Sequence, residues 1–431
     1  MKRILSVLCA ALMITTVTVG CNNNNDGNGN EDEVKKTEEG PESEKTQINF
    51  VLWDYSEDTY DHAMVKTFEE QNDSYEVKVT SAPNKDYETK LTTMISGGSD
   101  VDVFLGKSNT VYPQLVDMGF GKDITEKVKD EIDLEQFGTV LNNQYEIDGK
   151  YYGLPYRTND WVLYYNKDIF DDAGVSYPTN DMTWEEARDL ANKVTSGEGV
   201  NKIYGIGFQP KPGFILPMMV GNIPDFKIYE SDLSGLLKPL EYFNALQYED
   251  KVLQEYAASK LMGQDQIYVF KGRSGMYCKV SWFCQVLWDA DLDVDWGIAK
   301  APYWEGTEQA VFVTSTPVMI NADAKNEEGA FELLKFFVGE EGAKVMAEKK
   351  MIPSYQSEEV MKIYKENLKL DDSSYEAVTN NKTYDFGPAH IKTGEISSAF
   401  NQELELFVTQ NQDAQTTIDN MGERRSEILN Q

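Results

Sequence analysis

Histidine is nearly missing from this 431-residue chain, which has two, His62 and His390. That leaves little room for histidine-rich metal centres or for a histidine acid–base relay. Basic residues are scarce too: 40 Lys and Arg stand against 73 Asp and Glu, for a formal net charge of −33. Such a chain repels phosphate backbones, which argues against nucleic acid as a partner. Cysteine is limited to Cys9, Cys21, Cys278 and Cys284, in no zinc-like spacing. Apart from one run near the start, long apolar stretches are absent, which excludes a multi-span membrane protein. The remainder is ordinary globular composition, 41% hydrophobic and 26% charged, with length for two or three domains and a sizeable core.

Lys2 and Arg3 precede the apolar and small-residue run Ile4–Val19. This is a secretory signal pattern, too short for a comfortable membrane span. Val19-Gly20-Cys21 follows and resembles a bacterial lipoprotein signal, although Thr18 stands where an aliphatic residue is usual. The resemblance implies a signal peptide over residues 1–20, with cleavage before a lipidated Cys21. Residues 21–47 then form the lipidated cysteine and a disordered tether. The tether is rich in Asn, Gly, Asp, Glu, Lys and Ser and has no aromatic residue, so it cannot bury enough surface to offset chain entropy. A leash behind a lipid anchor suits the extracellular face of a Gram-positive cell membrane. Cys278 and Cys284 either form a disulfide in that compartment or stay as two buried thiols.

The body opens with an apolar run, Ile48–Trp53. Tyr60, Met64 and Phe68 then recur four apart, as on one face of a helix. Glu76–Thr80 alternates like a strand, Tyr87, Leu91, Met94 and Ile95 predict a helix ending at Gly97-Gly98, and Val101–Leu105 predicts a buried strand. This alternation predicts a parallel sheet covered on both faces. A second set follows: strands at Val162–Asn166, Tyr204–Phe208, Ser274–Cys278 and Trp296–Ala301, with helices near 233–247 and 251–261. Thr183-Trp184-Glu185-Glu186 reads as a capping box. Pro317–Ile320 predicts a further strand before an Asn326-capped helix, and the C-terminal part reads as helices and polar loops.

Several segments, in order, resemble the extracellular solute-binding proteins of carbohydrate ABC transporters. They are Gly153-Leu154-Pro155, Leu163-Tyr164-Tyr165-Asn166-Lys167-Asp168, Phe170-Asp171-Asp172-Ala173-Gly174 and Thr183-Trp184-Glu185-Glu186. Gly272-Arg273-Ser274-Gly275-Met276, Trp296-Gly297-Ile298-Ala299-Lys300-Ala301-Pro302 and Ala330–Phe337 complete the series. Before Gly272 the pattern departs: Val269 holds the usual aromatic place and Phe270 comes one residue late. The resemblance implies an α/β, maltose-binding-protein-like clamp, two lobes with a hinge and a ligand cleft between them. It places an N-terminal lobe at 48–157 plus 316–354 and a C-terminal lobe at 158–315 plus 355–431. Chain crossings are expected near Pro155–Asn159, Thr314–Thr316 and Ile352–Ser357. The implied function is capture of a sugar or oligosaccharide and its delivery to a membrane permease. A binding lipoprotein for a peptide or polyamine is the alternative.

A sugar offers apolar C–H faces to aromatic planes and hydroxyls to carboxylates, amides or guanidinium. Trp282 holds the place of the family's cleft tryptophan. Gln209 and Phe214 lie in the Pro-rich loop Gln209–Phe214, and Phe386 and His390 in a loop before a helix. Polar candidates are Tyr55, Glu57 and Asp58 after the first strand, Lys107, Ser108 and Asn109 after the third, and Arg157, Asn159 and Asp160 at a crossing. Acids after the first strand also suit a helix N-terminus, and Trp53 reads as core. Asp289, Asp291, Asp293 and Asp295 alternate, but a calcium loop counted from Asp289 needs Gly and Glu where Val294 and Lys300 stand. No segment resembles a hydrolase motif. The expectation is a monomeric, non-catalytic receptor with no cofactor and no metal.

Overall fold

Strand–helix alternation is realised from the first element of the body. The computed structural model describes residues 45–141, 144–261, 272–290, 292–379 and 381–431, without the side chains of 139, 140, 214 and 261. The signal, Cys21, nearly all of the tether, Val269, Phe270 and Asp291 lie outside the described residues. Strands β1 (Thr46–Trp53), β2 (Tyr75–Ala82) and β3 (Val103–Leu105) pair in parallel, with β1 in the middle. Ile48, Phe50 and Leu52 enter one core and Val51 the other, because successive side chains of a strand point to opposite faces. The first core is closed by Met64, Val65 and Phe68 of the helix Tyr60–Gln71 and by Phe331, Leu334 and Phe337 of the helix Glu327–Val338. Tyr87 and Leu91 of the helix Tyr87–Ser96 cover the opposite face.

Asn326 caps its helix as expected, accepting from Gly329 N at 3.0 Å. The Thr183 capping box is complete, with Glu186 reaching back to Thr183 N at 2.8 Å. Its helix, Trp184–Val194, lies so close to β7 (Tyr204–Phe208) that a Cβ on Gly205 would sit 2.0 Å from the Ala191 carbonyl oxygen.

A short hairpin, β4 (Glu146–Ile147) with β5 (Lys150–Tyr151), precedes the central element β6 (Gly153–Asn166). The remaining strands are β8 (Ser274–Val280), β9 (Trp296–Lys300), β10 (Val311–Ile320) and β11 (Thr383–Tyr384). The main order is β2-β1-β3-β10-β6-β8-β7, with β9 on β6 and β11 on β10. The second half again has two cores. Leu163, Ile206, Met276 and Cys278 face one, and Val162, Tyr164, Tyr277 and Cys284 the other. Cys278 and Cys284 are therefore free buried thiols on opposite faces of the sheet.

Three expected boundaries move. β1 begins at Thr46, whose N–H donates to the Ser74 carbonyl at 2.8 Å, so the tether ends before residue 47. The helix near 251–261 is confined to Tyr256–Leu261, and the one near 233–247 is a 3-10 turn, a helix over Leu237–Asn244 and a π turn. The expected crossings near Pro155–Asn159 and Thr314–Thr316 fall inside strands. β6 and β10 run through both as continuous strands, because each has a neighbour there to satisfy its backbone groups.

Candidate functional site

The site is built on the stretch of β6 and β10 where two of the crossings are expected. Asp160 pairs with Val313, Asn159 with Thr314, Thr158 with Ser315 and Arg157 with Thr316. The register then shifts, and Pro155 pairs with Pro317. Tyr156 is the extra residue of this β-bulge. The third crossing lies along the other edge of β6: Thr158 N donates to Ile352 O at 3.2 Å and Ser354 N to Tyr156 O at 3.0 Å. All three expected crossings are thus hydrogen-bonded side by side.

Arg157 is held in an aromatic cage. Its Nη1 donates to the Tyr60 hydroxyl and its Nε to Thr316 Oγ1 at 3.1 Å. The guanidinium carbon lies 5.7 Å from the Trp53 ring centre, 5.4 Å from Tyr60 and 5.7 Å from Tyr156. Beneath it Tyr156 OH donates to Asp61 Oδ1 at 3.1 Å. Burial pushes the Asp61 carboxyl up to about 6, against the pull of Arg157. Asp61 escaped sequence reasoning because it reads as a first-turn helix acid. Its place beside the apolar stripe of Met64 and Phe68 was the available signal.

Asn109 meets β10 from the other side, its N–H donating to Ser315 O at 3.0 Å. Its Nδ2 donates to Gln144 Oε1 at 2.8 Å, and Gln144 Nε2 donates to Asp385 Oδ2. Gln144 Oε1 also accepts from Ser315 Oγ at 3.4 Å, and Ser315 Oγ is 2.7 Å from Tyr145 OH. Asp385 Oδ1 accepts from Gly387 N at 2.5 Å. Burial raises the Asp385 pKa, opposed by these donors. Asn109 Oδ1 is buried and has no hydrogen-bond partner. Gln144 and Asp385 lie 241 positions apart in sequence, and no local pattern links them.

Asn159 and Asp160 are both buried, and Asn159 Oδ1 has no partner either. Asp160 Oδ2 accepts from Asn381 Nδ2 at 3.2 Å, while Asn381 Oδ1 is again unpartnered. Burial lifts Asp160 to about 6, with Asn381 working against it. The Asp160 backbone is tied both ways to Ser281, O to N at 2.8 Å and N to Oγ at 3.2 Å. Trp282 therefore follows directly after the residue that is clipped to the crossing. It is partly buried and touches three of the cores. Lys279, fully buried on β8, donates to Gln209 Oε1. Burial, with Lys211 nearby, pulls the Lys279 ammonium down to about 7.

The other candidates are placed as follows. Tyr55 is half-buried, its hydroxyl 3.2 Å from His62 Nδ1, and burial raises its pKa to about 12. Glu57 is exposed in the turn before the first helix. Phe386 is packed in the core, its ring 4.8 Å from Phe312. His390 stacks on Tyr229 at 4.5 Å. Phe214 lies in the 3-10 turn Pro212–Phe214, and its side chain lies outside the described residues. Among the described residues no group of three His, Cys, Asp or Glu could hold a metal ion. Buried amide oxygens, two carboxylates and a partly buried indole suit a ligand with hydrogen-bond donors and a flat apolar face.

Residues 63–370 match the family described as bacterial extracellular solute-binding protein. A putative binding protein of Brucella abortus (strain 2308) is 25% identical over 334 residues, covering 75% of this chain and 80% of that protein. The crystal structure of a sugar transporter from Rhizobium etli, in an open conformation, superposes with a TM-score of 0.78 and 27% identity, covering 88% of this chain and 99% of that one. An ABC substrate-binding protein from Listeria monocytogenes in complex with cycloalternan superposes with a TM-score of 0.77 and 24% identity, over 90% and 100% of the two chains. With an α/β architecture like that of these structures and a family match over most of its length, this chain belongs to the bacterial extracellular solute-binding proteins.

Proposed function

We propose that the chain captures a sugar or oligosaccharide between its lobes and delivers it to the permease of an ABC importer. The observation that carries this reading is the gathering of buried Asn159 and Asp160 on β6 with Asn109, which is bonded to β10 beside them, and of Trp282, which follows the Ser281 tied to Asp160. Hydroxyls satisfy the amide oxygens, and a sugar ring covers the indole. The similar Rhizobium etli protein is a sugar transporter, which supports the same solute class. We assign Tyr55, Glu57, Asn109, Asn159, Asp160, Gln209, Phe214, Trp282 and Phe386 to the ligand side of the cleft, with Arg157 bracing its floor. The lobes are residues 48–157 plus 316–354 and residues 158–315 plus 355–431. The protein acts as a monomeric receptor without catalysis.

Tryptophan fluorescence and calorimetry with maltotriose, mannobiose, N,N′-diacetylchitobiose, spermidine and a tripeptide test the ligand class. Saturable binding of a sugar supports the reading; binding of spermidine or the tripeptide alone replaces it. We further propose that Cys21 carries a lipid that holds the protein on the outer face of a Gram-positive membrane. Cys21→Ala should release the protein into the medium. Membrane association unchanged by that substitution, with no lipid found by mass spectrometry, rejects the anchor.

A further inference from the structure

Three side chains in a row leave no freedom in how the Asn109 amide is turned. Both oxygens of Asp385 face N–H groups, Oδ1 that of Gly387 and Oδ2 the Nε2 of Gln144. An ionised carboxylate only accepts, so Gln144 must point its NH2 at Asp385. Its carbonyl is thereby turned to Asn109 and Ser315. Asn109 must answer with its own NH2, which leaves Oδ1 as the atom turned away from Gln144. That oxygen is buried without a partner. A native protein seldom leaves such an atom unsatisfied unless something else completes it.

We propose that Asp385, acting through Gln144, is a positioning residue that presets Asn109 Oδ1 as a hydrogen-bond acceptor for a hydroxyl of the bound ligand. This rests on the sugar reading above and adds a specificity to it. A ligand group at this position must donate, so a phosphate or carboxylate there is rejected. Ser315 is compatible with the same polarity: its Oγ donates to Gln144 Oε1 at 3.4 Å and can accept from Tyr145 OH.

The relay has a one-atom inversion. In Asp385→Asn the new side chain keeps an oxygen for Gly387 and turns an NH2 toward Gln144. Gln144 then rotates, its NH2 faces Asn109, and Asn109 presents a donor to the ligand. Adding Asn109→Asp to that variant restores an acceptor, since one carboxylate oxygen takes the Gln144 NH2 and the other faces outward.

Calorimetry would use whichever of maltotriose, mannobiose and N,N′-diacetylchitobiose the native protein binds most tightly. Asp385→Asn should lower affinity about tenfold or more, the scale of a lost hydrogen bond with one partner left buried. Asp385→Asn with Asn109→Asp should recover most of that loss, which a merely structural defect would not. Native affinity in the single variant, or no recovery in the double, overturns the proposal. If none of the three sugars binds the native protein, the sugar reading fails for them and the relay is decided without ligand. Asp385→Asn should then shift the side-chain amide 15N resonances of both Gln144 and Asn109, while an unmoved Asn109 resonance overturns it.

Discussion

The Lys279 amine lies 4.9 Å from the centre of the Trp282 ring, so a buried amine and a partly buried indole share one corner of the site. The same indole touches three cores, which makes it a structural joint as well as a candidate stacking plane. Trp282→Ala should weaken sugar binding by ~2 kcal/mol or more, about thirtyfold. It should also lower unfolding stability by about 2 kcal/mol, less than for a fully buried aromatic. Trp282→Phe should keep most of the stability and lose part of the affinity. Unchanged affinity in the alanine variant, for a sugar the native protein binds, would remove Trp282 from the ligand side.

Asp160 has the opposite balance. Burial raises its pKa from 3.8 to about 6, so the folded protein holds this proton more tightly than the unfolded chain does. Above both values the ionised carboxylate is a cost, and the cost fades as pH falls through 6 toward 4. Asp160→Asn keeps an oxygen for Asn381 and removes the charge. The variant should be more stable than the native protein by ~2–3 kcal/mol at pH 7.5, with no gain at pH 3.5. Its sugar affinity should fall. Urea unfolding at the two pH values checks the sign; a loss of stability at pH 7.5 would mean that Asp160 holds the crossing together.

Much of this architecture was legible because period and capping are local. The stripe of Tyr60, Met64 and Phe68, the Thr183 box and the alternation around Ile48 need only a few consecutive residues to be read. Asn109, Asn159 and Asp160 were singled out by position, after a strand and at an expected crossing. Gln144, Asp385 and Asn381 were missed because each acquires its role from a residue far away in sequence. The long strands β6 and β10 were read too short for a related reason. Thr-Asn-Asp in one and Thr-Ser-Thr in the other look like loop residues, and only their mutual pairing makes them strand. Phe386, proposed for the ligand side, also packs on Phe312, a core partner that no local pattern announces.

The two body cysteines give a clean test of the sheet. Cys278 and Cys284 are buried on opposite faces, and burial pushes both thiols upward, Cys284 to about 12. Such thiols are unreactive in the folded state. In Cys21→Ala protein lacking residues 1–20, Ellman's reagent should find no thiol under native conditions and two in urea. The melting temperature should not change with reductant. Failure to detect thiols in urea before reduction would show a disulfide and a different arrangement of β8 and the following helix.

Ligand capture by a clamp requires the crossings to bend, and their geometry says where. β6 and β10 are paired on both sides of one register shift, between Thr316 and Pro317 opposite Tyr156. A bulge interrupts the ladder and lets a strand twist, whereas the paired stretches resist it. Arg157, next to the bulge, ties Tyr60 to Thr316 and so fastens the N-terminal-lobe end of both strands to the first helix. A solute that touches both halves favours the closed form by its differential affinity. The radius of gyration should therefore fall on adding a saturating sugar. Hydrogen exchange should change most at the amides of Tyr156 to Asp160 and at Ser315 and Thr316. Arg157→Met removes both hydrogen bonds while keeping apolar contact with the rings, so hydrogen exchange at these amides should quicken in the unliganded protein. Superposable scattering curves with and without a saturating sugar would leave a rigid groove binder, and the Arg157 cage would then serve stability alone.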